Sequence, residues 1–251
     1  MTKPSEAVSA EVSIRDRIIV ALDVDLADAA REILRELSGQ VGAFKIGLQL
    51  FTSGGPGFVR ELVDNDTRIF LDLKFHDIPN TVAKASVEAA RLGVWMFNIH
   101  AAGGSEMMRL AVKEVDDACR AEKIRRPLII GVTVLTSSNA ETMHEVGVGG
   151  ETKDQVIRLA RLADECGLDG VVASPHEVEA VKIAVNREDF LVVTPGIRPT
   201  FATDDDQKRV TTPRQAFAAG SDYVVIGRPI TQAKDRIEAV NRIVEECEPA
   251  Q

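Results

Sequence analysis

The stretch RIFLDLKFHDIPNT, residues 68–81, decides the fold and holds the first candidate site. Its opening residues form an apolar run that predicts a buried strand. Side chains alternate between the two faces of a strand, so Asp72 and Lys74 are expected to point the same way. Opposite charges at the end of a buried strand are costly unless they pair or take part in function. Together with Asp77, which follows where the strand should turn into a helix, they form a candidate site.

The pattern of an apolar run followed by a helical stretch repeats along the whole chain. The runs are nearly continuous in Ile, Val, Leu and Phe, as expected for parallel strands covered on both faces. The predicted strands are Arg17–Leu22, Ala43–Gly47, Arg68–Leu73, Met96–His100, Leu128–Val134, Gly170–Ala173, Leu191–Thr194 and Tyr223–Gly227. Eight such units predict a closed (β/α)₈ TIM barrel in a single domain, with an open doubly wound sheet as the alternative.

Amphipathic helical stretches separate these strands, and several are followed directly by a glycine, as helix C-terminal caps are. The predicted helices are Ala27–Leu37, Val82–Leu92, Ser105–Ala118, Lys153–Cys166, Pro175–Ala184, Pro213–Ala219 and Thr231–Glu246. Residues 14–251 are therefore assigned to the barrel. The polar residues 1–13 are expected to form a flexible N-terminal tail.

Composition argues against several classes of partner and location. A net charge of −9 over 251 residues argues against nucleic acid or an anionic membrane surface as the main partner. No apolar run approaches the ~20 residues of a membrane span, and residues 1–13 lack the apolar core of a signal peptide. Cys119, Cys166 and Cys247 are widely spaced and form no CxxC pair. This cysteine usage predicts a reducing, cytoplasmic location.

Polar residues stand at the C-terminal ends of several predicted strands, where active sites of this fold lie. Strand 1 ends at Asp23, strand 2 contains Lys45, and strand 5 runs into Thr136. Asp23 and Lys45 are candidates for contacts to a sugar or to a reacting group. The alternative for Asp23 and Lys45 is a structural ion pair at the barrel rim, and the alternative for Asp77 is a helix N-cap.

The loops after strands 7 and 8 predict a phosphate site. Gly196 and Gly227 would let backbone N–H groups approach an anion, as these loops often do in this fold. Arg198 and Arg228 follow the two glycines, and a guanidinium suits phosphate through bidentate hydrogen bonds. The ligand is therefore expected to carry a phosphate monoester.

Two long polar stretches, residues 137–152 and 198–211, are expected on the active face, and the second, with Gln207, is a candidate lid. His76 and His100 lie near strand ends, but a metal site needs several His and carboxylate groups around one ion. We therefore predict no metal site, and hydrogen bonding that fixes loops is the favoured role of the two histidines.

Seven segments, in chain order, resemble the orotidine 5′-monophosphate decarboxylase family. They are ALD (21–23), FKIG (44–47), LDLKFHDIPNT (71–81), VTVLTS (132–137), TPGIRP (194–199), DQKR (206–209) and VIGRPIT (225–231). They span nearly the whole chain, and the strand-3 segment is highly specific. The resemblance implies decarboxylation of orotidine 5′-monophosphate (OMP) to uridine 5′-monophosphate (UMP) and CO₂ in pyrimidine biosynthesis, without a cofactor.

The resemblance also implies roles for individual residues. Lys74 would donate a proton to C6 of the pyrimidine after CO₂ leaves, Asp72 would lie against the substrate carboxylate, and Lys45 would join this charged array. In a homodimer with shared sites, Asp77 would serve the other subunit's site, with Ile78 and Thr81 nearby. The implied substrate contacts are Asp23 and Lys45 at ribose hydroxyls, Thr136 at the pyrimidine edge, Gln207 between base and phosphate, and Gly227, Arg228 and Arg198 at the 5′-phosphate.

Two other functions stay open. A Mg²⁺-dependent sugar-phosphate decarboxylase shares the barrel and an Asp-x-Lys-x-x-Asp motif, and a non-catalytic barrel would bind uridine phosphates without releasing CO₂. The residues Phe75 and His76, the segment 78–81 and Gln207 favour the nucleotide enzyme over the first alternative. An intact Lys74 argues against the second.

Overall fold

The computed structural model describes residues 13–202 and 211–248 and forms a closed barrel of eight parallel strands. Neighbouring strands pair in chain order, and β8 pairs with β1, Val224 opposite Ile18, which closes the cylinder. The strands are β1 (Ile18–Ala21), β2 (Ala43–Gly47), β3 (Ile69–Phe75), β4 (Met96–His100), β5 (Leu128–Val132), β6 (Gly170–Val172), β7 (Leu191–Thr194) and β8 (Tyr223–Ile226). The predicted TIM barrel is confirmed, and its closure excludes the open sheet. The proposed tail lies outside the described residues except for Ser13, so the domain boundaries stay a prediction.

Helices cover the outside of the barrel. Within residues 13–202 and 211–248 they are α1 (Ala27–Leu37), α2 (Leu48–Asp64), α3 (Pro79–Arg91), α4 (Gly104–Glu122), α5 (Ala140–Glu145), α6 (Thr152–Glu165), α7 (Val178–Val185), α8 (Pro213–Ala218), α9 (Arg228–Thr231) and α10 (Arg236–Cys247). No helix in these two ranges is long and apolar enough to cross a membrane.

The sequence pattern does not predict α2, because the run Gly54-Gly55-Pro56-Gly57 interrupts its helical periodicity. Gly55 has φ 68°, so α2 consists of two helical pieces joined at a kink. Left-handed backbone of this kind costs glycine little, and Pro56 then suits the first turn of the second piece.

Two other stretches differ from the predicted boundaries because polar side chains start new helices. The predicted helix Thr231–Glu246 begins five residues later, as α10, because the Asp235 carboxylate accepts a hydrogen bond from the Glu238 N–H and caps the helix start. The predicted loop 137–152 contains the short helix α5, which begins where the Asn139 side chain accepts from the Thr142 N–H.

The barrel interior is filled by apolar side chains up to the level of the site. The inner cluster consists of Ile19, Ala21, Ala43, Phe70, Met96, Ile130, Val193 and Val225. A larger cluster fills the space between the strands and the helices. Along β3, Phe70 belongs to the inner cluster, and Asp72, two residues further on, faces the same side. The inner apolar cluster therefore ends at the level in the barrel where the charged residues begin.

Candidate active site

Four charged side chains form a chain of ion pairs across the C-terminal ends of β1, β2 and β3. The Lys74 ammonium lies 2.6 Å from Oδ1 of Asp72. The Lys45 ammonium lies 3.2 Å from Oδ2 of Asp72 and 3.3 Å from Oδ1 of Asp23. The charged array is thus Asp23–Lys45–Asp72–Lys74, in which positive and negative groups alternate. Asp23 and Lys45 form the ion pair that the structural alternative predicts. The same two residues also belong to the larger charged array.

Asp72 is the buried centre of the charged array, with 8% of its surface exposed. Burial opposes its ionisation, but the two ammonium groups of Lys45 and Lys74 and a hydrogen bond from Asn98 outweigh that cost and lower the pKa of Asp72. The carboxylate is therefore ionised at neutral pH. It keeps two lysine side chains close together that would repel each other without it.

The lowered pKa of Asp72 predicts a stability difference that depends on pH. A carboxyl whose pKa is lower in the folded protein adds stability above its unfolded pKa, here near 3.8, and that stability is lost as the pH falls through the folded value. Asp72→Asn should therefore be destabilised relative to the parent at pH 7, with the gap shrinking below about pH 4. Urea unfolding from pH 7 to pH 2.5 measures this gap. The same gap at every pH would contradict the ion-pair account.

Asn98 contacts the charged array, although no role was predicted for it from the sequence. It lies in the middle of β4, with 1% of its surface exposed. Its side-chain N–H donates to Oδ1 of Asp72 at 2.7 Å, and its side-chain oxygen accepts the backbone N–H of Lys74 at 2.8 Å. The sequence pattern that could have indicated Asn98 is a carboxamide residue between apolar neighbours in a predicted buried strand, because a buried polar group needs hydrogen-bond partners.

A cavity of about 500 Å³ opens beside the charged array. The predicted site residues that line it are Asp23, Thr136, Arg198, Gly227 and Arg228. Asp23 belongs to both the cavity wall and the array, so the two are continuous. The structure thus brings the predicted sugar, base and phosphate contacts to one side of the buried charges.

The loops after β7 and β8 form the far wall of this cavity. Gly196 has φ 77°, a conformation that favours glycine. Gly227 directly precedes α9, and a Cβ at that position would meet the Asp23 carboxylate at 3.5 Å. The Arg198 backbone N–H is held by the Thr211 carbonyl at 3.1 Å, which ties the two described ends of the 198–211 stretch together. Backbone and arginine side chains here suit an anion.

The loop after β6 also reaches the cavity, although no site residue was predicted in it. Ser174, Pro175 and His176 line the wall between the β5 and β7 loops. The Ser174 N–H donates to the Glu177 carboxylate at 3.1 Å, which fixes the loop before α7. The position of Ser174, Pro175 and His176 after β6 could have predicted this, because the C-terminal ends of all strands in this fold face the active site.

Three predicted residues neither line this cavity nor belong to the charged array. Asp77, Ile78 and Thr81 are exposed on the single chain, and Ile78 keeps 67% of its surface accessible. The Asp77 carboxylate accepts the N–H of Ile78, and Ile78, not Asp77, precedes the first residue of α3. The helix-cap alternative for Asp77 is therefore not supported. Gln207 lies outside the described residues.

His76 and His100 contact each other, with ring centroids 5.3 Å apart. Burial lowers the pKa of His100, and His76 and Lys74 nearby lower it further. The structure thus shows a ring–ring contact between His76 and His100, whereas the role predicted from the sequence was hydrogen bonding that fixes loops. Among the described residues, no group of three or more His, Cys, Asp and Glu side chains is arranged to hold a metal ion.

Comparison with known proteins decides the family. The sequence model of the Orotidine 5'-phosphate decarboxylase / HUMPS family matches residues 16–243, which is most of the chain. The chain belongs to the orotidine 5′-phosphate decarboxylase family. It is a decarboxylase of pyrimidine biosynthesis, and the resemblance found in its motifs is confirmed.

Relatives of this family match over almost their full length. The chain is 54% identical to the orotidine 5′-phosphate decarboxylase of Syntrophotalea carbinolica over 95% of this chain and 98% of that protein. It is 51% identical to the enzyme of Syntrophomonas wolfei over 93% of this chain and 98% of that protein. Both relatives are named orotidine 5′-phosphate decarboxylase, whereas the family description names HUMPS beside that enzyme.

Two solved structures share the barrel. Orotidine 5'-phosphate decarboxylase from Lactobacillus acidophilus superposes with a TM-score of 0.81 at 36% identity, covering 92% of this chain and 99% of that chain. An uncharacterized conserved protein from Geobacillus kaustophilus superposes with a TM-score of 0.80 at 38% identity, covering 92% and 100%. The fold therefore matches these solved structures over 92% of this chain.

Proposed function

We propose that the chain converts OMP to UMP and CO₂ without a cofactor, with Lys74 as the proton donor. The observation that carries the proposal is the contact of the Lys74 ammonium with the buried Asp72 carboxylate at 2.6 Å, beside a cavity that ends in two arginines. The cavity suits a phosphate at one end, and the charged array suits a reacting centre at the other.

The charged array fits the electronic demand of this decarboxylation. When the bond from C6 to the carboxylate breaks, CO₂ leaves and the electron pair stays on C6. A lysine ammonium at that carbon stabilises the developing charge and then forms the C6–H bond by giving up its proton, which solvent replaces. Two unit charges ~4 Å apart at an effective dielectric constant of about 20 interact by roughly 4 kcal/mol. That energy corresponds to about three powers of ten in rate.

Asp72 has two roles in this proposal. It holds Lys74 and Lys45 in place as ammonium groups, and it opposes the substrate carboxylate, so that loss of CO₂ removes a repulsion. Asp23 and Lys45 would contact the ribose hydroxyls, and Thr136 the pyrimidine edge. The lid role of Gln207, between base and phosphate, and the cytoplasmic location stay predictions.

The deciding experiment is a direct assay for loss of OMP absorbance, run with and without EDTA. Equal turnover in both supports the cofactor-independent reaction. Loss of turnover in EDTA, restored by Mg²⁺, would favour the sugar-phosphate decarboxylase alternative, whose natural substrate would then be tested. Binding of UMP without any release of CO₂ from OMP would favour the non-catalytic barrel.

Arg228→Ala should weaken binding of UMP by about 10- to 100-fold, since a charge-assisted hydrogen bond to phosphate contributes about 1.5–3 kcal/mol. Binding of uridine, which has no phosphate, should be unchanged. Calorimetric titration of both ligands measures the difference. Arg158→Ala, at an exposed arginine of α6 that contacts Gln155, is the matched control. Equal losses for UMP and uridine would remove Arg228 from the phosphate site.

We also propose that the enzyme is a homodimer with shared sites. Asp77, Ile78 and Thr81 are exposed on the single chain and follow directly from the strand that carries Lys74. An exposed large apolar residue beside a carboxylate suits a surface that meets a second copy. In that arrangement Asp77 completes the charged array of the other subunit.

A further inference from the structure

We propose that Asn98 is the positioning residue of the charged array: its carboxamide holds the Asp72 carboxylate and the Lys74 backbone in one fixed geometry. The inference rests on the proposed role of Lys74. Asn98 would not touch substrate. Its effect on the reaction would pass through the placement of the Lys74 ammonium.

The first observation is a break in the pairing of β3 with β4. Leu71 is opposite Phe97 and Phe75 is opposite Ile99, so four residue steps on β3 span only two on β4. The extra residues form a bulge opposite Asn98. Bulges re-aim side chains and leave backbone groups without a strand partner. Lys74 lies within this bulge, and its ammonium pairs with Asp72.

The second observation is the backbone of Lys74 itself. Its φ is 52°, in the left-handed region that is strained for a residue with a side chain. The bulge also takes its N–H out of the strand ladder, and Asn98 Oδ1 accepts that N–H at 2.8 Å. A strained conformation persists only where its surroundings hold it. Asn98 supplies the hydrogen bond that the neighbouring strand would otherwise have made.

The third observation is the other end of the same carboxamide. Asn98 Nδ2 donates to Asp72 Oδ1 at 2.7 Å, and the same oxygen accepts from the Lys74 ammonium at 2.6 Å. The orientation of the carboxamide is fixed, because a backbone N–H can only donate and an ionised carboxylate can only accept. One planar group therefore links the acid and the backbone of the lysine that pair with each other. Its position in the middle of a buried strand makes it rigid.

Asn98→Ala is expected to lower kcat by about 10²-fold, the cost of misplacing a reacting group by about 1 Å. The affinity for UMP should stay within about threefold, because the cavity residues and the phosphate loops are untouched. Ser221→Ala is the matched control, since it also removes a buried side-chain hydrogen bond, the one to Thr194. The control should lose stability by urea unfolding and keep its kcat.

Asn98→Asp supplies a readout that a merely structural role would not move. A protonated carboxyl offers one donor and one acceptor, as the carboxamide does, whereas the ionised form has no donor for Asp72. Burial and the Asp72 carboxylate raise the pKa of the introduced carboxyl. The ratio of variant to parent kcat should therefore rise as the pH falls from 8 to 5. Other titratable groups nearby are Asp72 and Lys74 on β3, Lys45 on β2 and His100 on β4. The parent has the same groups, so the ratio of variant to parent kcat corrects for them.

The outcomes separate this inference from the proposed function. A low kcat for Asn98→Ala, with UMP affinity kept and a kcat ratio for Asn98→Asp that rises in acid, supports the positioning role. A kcat within twofold of the parent for Asn98→Ala, or a flat ratio for Asn98→Asp, overturns it while the role of Lys74 stands. If Asn98→Ala does not fold, the ratio for Asn98→Asp decides alone. Near-normal turnover by Lys74→Ala would instead overturn the proposed function.

Discussion

Lys74→Ala is expected to lower kcat by at least about 10³-fold while the barrel stays folded. The loss combines about 4 kcal/mol of charge stabilisation at the developing carbanion with the absence of a proton donor, itself worth 10²–10⁴-fold. The measurement is steady-state turnover of OMP by loss of absorbance, with urea unfolding as the test of folding. Because Asp72 keeps Lys45 and Asn98 as partners, the buried carboxylate is not left alone in the variant.

Two further variants isolate the chemical role of Lys74. Lys113→Ala removes an exposed lysine of α4 that pairs with Glu114 and Asp117, and it should leave kcat unchanged. Lys74→Arg keeps a positive charge but does not readily give up a proton, because the guanidinium pKa lies far above neutral pH. It should therefore remain strongly impaired. Turnover of Lys74→Ala within tenfold of the parent would contradict the assignment of Lys74 as proton donor.

A mixture of Lys74→Ala and Asp77→Ala protomers is expected to recover about a quarter of parental activity, although each variant alone is nearly inactive. Random exchange makes half of the dimers mixed, and each mixed dimer has one site with both residues intact. The other site lacks both. The measurement is turnover before and after exchange, with differently tagged protomers to count the mixed dimers by mass spectrometry.

The same experiment carries its own control. Lys74→Ala mixed with differently tagged Lys74→Ala forms dimers of the same kind but contains no intact site, so its activity should not rise. Recovery in the first mixture only supports the placement of Asp77 in the other subunit's site. No recovery, once mixed dimers are counted, would mean that Asp77 serves its own subunit or has no role in the reaction. Exposure of Asp77 on the single chain would then need another cause.

The sequence by itself determined the barrel and most of the charged residues of the site. Continuous apolar runs predicted all eight strands to within two residues at either end, because parallel strands are buried on both faces and show it in composition alone. Asp23, Lys45, Asp72 and Lys74 could be found because charge at the end of a buried strand is costly and stands out. The resemblance then named the family, which the comparisons confirm.

Only the tertiary structure decided how those charges are held. Asn98 lies 24 residues from Lys74 and 26 from Asp72, and no local periodicity reports a contact over that distance. The bulge in β3 follows from pairing with β4, so strand alternation predicted the direction of Asp72 and Lys74 without the left-handed backbone that brings the ammonium to 2.6 Å. The apolar pattern of a strand is a property of its own segment, so it can be recognised from the sequence alone. A charged array at the mouth of a barrel is assembled from three separate strands, and its geometry exists only after they pair.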